Sequence, residues 1–314
     1  MSSLADKKIL VTGGNGFVGK YVVRQLLARG ASSKAIMVPR AKEFDLRTQK
    51  ACKEVTTGKD FVLHLAATVG GIGFNQTHAA EAFYDNAVMA VHLIDAAYRS
   101  GVEKFVGIGS VCSYPKFAPV PFREEDLWKG YPEETNAAYG LAKKMMLVQS
   151  QAYREQYKFN AVHLLLVNLY GPDDNFAPKS SHVVSALIKK VYDAKKENSP
   201  FIEAWGTGRA TREFLYVEDA AEGIVRALEH YEKAEPVNLG SGAEISIKNL
   251  LALIARIMDY KGEIQWDITK PDGQPRRMLD VTRAEREFGF KAKTNFEEGL
   301  KKTINWYLSE RKKA

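Results

Sequence analysis

A Rossmann-type, doubly wound parallel α/β sheet with a smaller, interleaved C-terminal substrate lobe is the fold class that the sequence predicts. Three observations predict it. The apolar run Lys8-Ile9-Leu10-Val11-Thr12 leads into Gly13-Gly14-Asn15-Gly16-Phe17-Val18-Gly19 and then into a helical pattern from Tyr21 to Arg29. Short apolar runs then keep alternating with long helical patterns, as in a parallel sheet covered by helices. From Asp173 the pattern changes to a loop, a helix and short strands, which reads as a second lobe.

Strand, glycine turn and helix in that order form the context of a dinucleotide fingerprint. Glycines at 13, 16 and 19 leave no side chain between the backbone and a pyrophosphate seated at the helix N-terminus, with Phe17 and Val18 in the first turn. The second strand, Ala35 to Val38, ends in Pro39-Arg40 rather than in the acid that grips an NAD ribose. Arg40, with Lys42 nearby, therefore favours the 2′-phosphate of NADPH. Glu43 or Asp45 would supply the missing acid and favour NADH if the strand ends a few residues later.

Phe61 to Ala67 is the next apolar run, and Thr68 to Gly73 continues it with small residues that let backbone pass close to a cofactor. Ala79 to Ser100 is a long helix with the apolar face Ala80, Phe83, Ala87, Val91 and Ile94. His64 and His92 lack partners at metal-ligand spacing and read as core or interface residues. Phe105-Val106-Gly107-Ile108 then delivers Ser110 and Cys112 to a strand's carboxyl end, where open α/β sheets bind ligands. A thiol titrates near ~8.5 unperturbed and lower beside cations, so Cys112 is suited to move a proton. Asn136 opens another helix, running to about Tyr157, on which Tyr139 and Lys143 share one face; an adjacent ammonium favours the phenolate.

Val162 to Leu169 is a further strand, closing in Asn168-Leu169-Tyr170-Gly171-Pro172. A helix from Ser181 to Lys196 carries His182 near its start, and Phe201 to Trp205 is a short strand. Arg212 to Val217 returns to the main domain, and Val237 to Gly240 adds one more strand. The main domain thus spans 1–172, completed by about 211–240, and the second lobe 173–210 and 241–314.

Composition narrows the function. With 314 residues, 45% hydrophobic and 26% charged, the chain is an ordinary globular protein, which removes disordered and fibrous classes. No window holds ~18 uninterrupted apolar residues, and Met1 to Lys8 lacks the apolar segment of a signal peptide, so a soluble cytoplasmic protein is expected. Cys52 and Cys112 are too few for a disulfide framework, and no Cys/His spacing suggests zinc. The net charge of +7 is spread rather than striped and no nucleic-acid module accompanies it, which points to a phosphorylated small molecule.

Gly13-x-x-Gly16-x-x-Gly19, Ser110 and Tyr139-x-x-x-Lys143 together resemble the extended short-chain dehydrogenase/reductase family over almost the whole chain. Five stretches are similar to the members that epimerise GDP-4-keto-6-deoxy-mannose at C3 and C5 and reduce it at C4. They are 67–72, 110–116, 168–176, 181–183 and 270–276. The resemblance implies reductive roles for Ser110, Tyr139 and Lys143, epimerase acid/base roles for Cys112 and His182, and binding of NADP by the glycine turn, Arg40, Tyr139 and Lys143. It also implies a sugar-nucleotide site with Asn168, Lys190, Trp205, Arg212 and Asp272, and a homodimer joined through the helices starting near Ala79 and Asn136.

Asn15 stands where this group often has arginine, and Val111 and Ser113 flank the cysteine in place of its usual Ser and Ile, which leaves a related GDP-keto-sugar open as substrate. The rivals are a GDP-mannose 3,5-epimerase that keeps NAD bound, a 4,6-dehydratase, and a non-catalytic nucleotide sensor on the same scaffold. Ser181-His182-Val183 argues against the first, Val111-Cys112 in place of an Asp-Glu pair against the second, and the full set of reactive residues against the third.

Overall fold

The computed structural model describes residues 4–178, 180–270 and 272–313; Pro271, part of the stretch 270–276, lies outside them. β1 (Ile9–Thr12) feeds α1 (Phe17–Ala28), and β2 (Ile36–Met37) and α2 (Gln49–Thr56) lead to β3 (Phe61–His64). After α3 (Ile72–Thr77) and α4 (Ala79–Arg99) come β4 (Lys104–Ser110), α5 (Ala137–Tyr157) and β5 (Ala161–Leu166). The chain then crosses to β6 (Asn168–Tyr170), α6 (Val183–Lys196), β7 (Phe201–Trp205) and β8 (Thr211–Tyr216). It returns with α7 (Val217–His230) and β9 (Val237–Leu239), and ends through β10 (Glu244–Ser246), α8 (Ile247–Ile257), β11 (Glu263–Asp267), α9 (Thr282–Phe288) and α10 (Phe296–Lys313).

The main sheet is all parallel in the order β2-β1-β3-β4-β5-β9. Strand order reverses between β1 and β3, which opens a crevice at the carboxyl ends of these strands. Alternate residues serve opposite faces: Ile9, Val11, Leu63 and Val106 join α1 and α7 in one core, while Leu10, Val62 and Phe105 join α2, α4 and α5 in another. A third core, with Ile188, Leu250, Leu251 and Ile304, holds the second lobe together. Among the described residues no helix is long and apolar enough to cross a membrane.

Three expectations are corrected. The strand expected over 162–169 splits at Val167, whose amide still donates to the Leu239 carbonyl (3.2 Å) while Asn168 already pairs with Phe214 in a second sheet. The segment 212–217 does not return to the main sheet; its strand sits between β10 and β6 in that second sheet, and α7 and β9 make the return. Of the face expected on α4, Ala87 and Ile94 are buried but Ala80, Phe83 and Val91 are exposed, and the buried side is completed by Ala82, Asn86, Ala90, Leu93 and Ala97. The helix is apolar on two sides, and α2 and α5 cover one of them.

Candidate active site

Every residue nominated from the sequence for catalysis or binding, except the alternative acid Glu43, lines one cleft of ≈ 1850 Å³ between the sheet's carboxyl edge and the second lobe. At one end, Gly13 has φ +71, and a Cβ there would stand 2.7 Å from the Ala66 backbone nitrogen. The Gly13 carbonyl leaves no room for a Cβ on Gly19. No side chain caps α1 at Gly16, so its first-turn amides face the cleft without a competing oxygen. The turn therefore fits a pyrophosphate.

Arg40 is exposed on the cleft wall beside Lys42; its carbonyl accepts from the Glu43 and Phe44 amides, and its guanidinium has no hydrogen bond or ion pair among the described residues. Asp45, the alternative ribose acid, also lines the cleft but is paired with Arg47 through Nε and Nη2, each at 2.9 Å. Arg47 in turn reaches Asp85 (3.3 Å), which accepts from the Thr68 hydroxyl (3.0 Å). The Arg40 guanidinium, like the Lys42 ammonium, thus stays open to the cleft, while Asp45 does not.

Ser110 ends β4 and caps the short helical turn Val111–Ser113, its Oγ accepting from the Cys112 amide at 3.1 Å. The start of α5 packs directly on this turn, and the Ser113 hydroxyl donates to the Gly140 carbonyl (3.0 Å). Ser113 is thus turned into the α5 contact, while Val111 reaches the cleft wall. Docking α5 here buries Tyr139 and Lys143 and brings Tyr139 against Ser110 and Cys112. The Lys143 Nζ lies 5.8 Å from the centre of the Tyr139 ring.

Burial sets the protonation of this pair. It raises the Tyr139 phenol above its ordinary value, with the nearby Cys112 adding to the rise and a Ser110 hydrogen bond opposing it. It lowers the Lys143 ammonium to about 8. The lowering of Tyr139 expected from Lys143 is therefore outweighed by desolvation, and Tyr139 keeps its proton at neutral pH. Such a phenol is a donor.

His182 also lines this cleft, at the N-terminus of α6 and without a side-chain capping bond. It bears on Asp174, a buried carboxyl raised by desolvation and held by the Ser185 hydroxyl and the Asn175 amide (2.7 Å). Asn168 donates to the Glu213 carbonyl (3.0 Å), and the Lys190 ammonium donates to the Glu203 carbonyl (2.6 Å). Trp205 is exposed at the end of β7, with the Lys270 ammonium 5.9 Å from its ring centre. Both carboxylate oxygens of Asp272 are engaged by Thr207, through its amide and its hydroxyl, each at 2.7 Å. Asp272 thus shapes the loop that follows Trp205. Burial and then the neighbouring Arg277 lower Arg212 to about 10.

Sequence reasoning missed two residues. Asp174 was read only as part of a stretch. Arg277 was not singled out beside Arg276, yet the two point apart: Arg276 pairs with Glu244 outside, and Arg277 is buried with Nη1 3.6 Å from the Cys112 sulfur. Nothing in Pro275-Arg276-Arg277-Met278-Leu279 marks Arg277 as the inward member: Pro275 and Arg276 are both exposed and Arg277 is buried.

A parallel nucleotide-binding sheet, a glycine turn and a Ser-Tyr-Lys group at the strand ends define a nucleotide-dependent epimerase or reductase. The chain belongs to the NAD dependent epimerase/dehydratase family, whose model matches residues 9–240. It is 40% identical over 311 residues to a GDP-L-fucose synthase of Sinorhizobium fredii, covering 98% of each chain. It is 38% identical over 312 residues to GDP-L-fucose synthase 1 of Arabidopsis thaliana, covering 98% of this chain and 96% of the other. A solved GDP-L-fucose synthetase from Naegleria fowleri bound to NADP is 29% identical, with a TM-score of 0.86 over 98% of this chain and 96% of that one.

Proposed function

We propose that the protein is an NADPH-dependent enzyme that converts GDP-4-keto-6-deoxy-D-mannose to GDP-L-fucose by 3,5-epimerisation followed by 4-keto reduction. The observation that carries this reading is the meeting of a thiol, an imidazole and a protonated phenol on the walls of one cleft that also fits a dinucleotide. The relatives named above support the substrate class, and Arg40 with the NADP-bound neighbour supports NADPH over NADH.

When bound, NADPH supplies the hydride. The chain's own residues prepare the sugar. A C4 ketone acidifies the hydrogens on C3 and C5, so a base and an acid on opposite sides can invert both centres through an enolate. Cys112 takes the proton on one face and His182 returns one on the other. Ser110 and Tyr139 hold the ketone oxygen, and Tyr139 then protonates the alkoxide. Lys143 holds the ribose, and Gly13, Gly16, Phe17, Val18 and Gly19 receive the pyrophosphate. Asn168, Lys190, Trp205, Arg212 and Asp272 form the GDP-sugar side. The nucleotide-binding domain is residues 1–172 completed by part of 211–240, and the rest is the substrate lobe.

A homodimer through α4 and α5 is part of this reading: Phe83, Tyr84 and Val91 on α4 and Val148 on α5 leave apolar surface exposed. Two free cysteines support a reducing, cytoplasmic setting. The test is to supply the GDP-keto-sugar with NADPH or NADH and identify the product by NMR. GDP-L-fucose is the expected product; a product with C3 and C5 unchanged would reduce the enzyme to a 4-ketoreductase.

A further inference from the structure

We propose that Arg277 is a positioning residue for Cys112, holding a fixed positive charge beside the sulfur so that the thiolate is the form presented to the substrate. The inference rests on the proposed role of Cys112 as base.

Arg277 is 7% exposed and forms no ion pair with a carboxylate among the described residues. Its Nε and Nη2 donate to the Gln274 side-chain oxygen at 3.1 and 2.9 Å, and Gln274 is itself tied to the Lys116 carbonyl (3.0 Å). The backbone is pinned as well. The Glu213 amide donates to the Arg277 carbonyl (3.0 Å), the Thr211 amide to the Pro275 carbonyl (2.9 Å), and the Leu279 amide to the Glu213 carboxylate (2.7 Å). With the side chain held by a neutral amide and the segment strapped to β8, Nη1 meets the Cys112 sulfur at 3.6 Å. A buried guanidinium whose only close side-chain partners among the described residues are a neutral oxygen and a sulfur lacks a counter-charge until that sulfur ionises.

The other groups that bear on this sulfur are Tyr139 from α5 and Arg212 from β8, the latter moderated by Glu133 and Asp272. Cys112 therefore faces two guanidiniums. In the reaction the thiolate takes a proton from carbon beside the ketone and becomes a neutral thiol, while the C–H electron pair forms the C=C bond of an enolate and the carbonyl π pair moves to the ketone oxygen. The negative charge leaves the neighbourhood of Arg277, so Arg277 both populates the base and keeps it mild.

Iodoacetamide alkylation of the resting enzyme, without nucleotide or sugar, reads thiolate at Cys112. Cys52 does not interfere, because it is fully buried and its thiol is pushed up to about 12. The alkylation rate of wild type, Arg277→Lys and Arg277→Gln is followed against pH by mass spectrometry, with NADPH binding as the check on folding. Arg277→Gln is expected to slow alkylation at pH 7 by about tenfold and displace the profile to higher pH, and Arg277→Lys to restore much of the rate. Coincident profiles in a variant that still binds NADPH would overturn the proposal. So would an unchanged profile accompanied by weaker GDP binding, which would make Arg277 a phosphate ligand instead. Because no turnover is measured, failure here is distinct from failure of the proposed reaction.

Discussion

The carbonyl oxygen of Cys112 occupies the space that a Cβ on Gly140 would need, so the first turn of α5 lies against the turn that carries the thiol. This contact fixes the spacing between Tyr139 and Cys112. Gly140→Ala should force α5 away and lower stability by about 1–3 kcal/mol, the usual scale of overpacking. It should also depress turnover more than NADPH binding, because Tyr139 and Lys143 move with α5 while the glycine turn at residues 13–19 and Arg40 do not. Denaturant unfolding together with a steady-state assay checks both.

Tyr139→Phe keeps the buried ring and removes the proton donor. NADPH should still bind, while reduction falls by roughly 10²-fold or more. Fluorescence titration and single-turnover kinetics separate the two, and wild-type turnover would remove Tyr139 from the mechanism.

Much of this was legible because it is local. Gly13, Gly16 and Gly19 lie within one turn, Ser110 and Cys112 are two residues apart, and Tyr139 and Lys143 share a helix face. Each signal is carried by a few consecutive residues, and a strand or helix converts that spacing into geometry. What was not legible depends on distant pairing. Arg277 reaches Cys112 only because the segment around it straps to β8, and nothing near residue 277 announces residue 112. The destination of β8 and the buried side of α4 were decided by which apolar face found a partner. The Tyr139 phenol was misjudged for the same reason, since spacing gives its neighbours but not its burial.

Arg40→Ala should weaken NADPH much more than NADH, because only NADPH offers a phosphate for the guanidinium to pair with. The residual preference should be small, since Asp45 is already paired with Arg47. Equal losses for both cofactors, measured by titration, would transfer the specificity elsewhere in the cleft.

His163 lies behind the site on β5, fully buried, with neither ring nitrogen hydrogen-bonded among the described residues. Burial, and then the Lys143 charge, lower it to about 3. The folded ring stays neutral while the unfolded chain takes up a proton below about 6.5, so this stability is present above pH 6.5 and lost as pH falls toward 3. His163→Met should flatten that fall, sparing on the order of 2–3 kcal/mol between pH 6.5 and 4, as urea titrations at several pH values would register.

The central claim is that Cys112 and His182 move protons at carbon before any hydride arrives. It is tested most directly by incubating the enzyme with GDP-4-keto-6-deoxy-D-mannose in D₂O without reduced cofactor and following deuterium entry at C3 and C5 by NMR. Wild type should exchange both positions. Cys112→Ser, which replaces the thiol with a hydroxyl too weakly acidic to serve as a base, should lose exchange while still binding NADPH, and His182→Asn should give partial exchange or inversion at one centre only. Undiminished exchange in Cys112→Ser would contradict the account and leave the chain a 4-ketoreductase with a packed thiol.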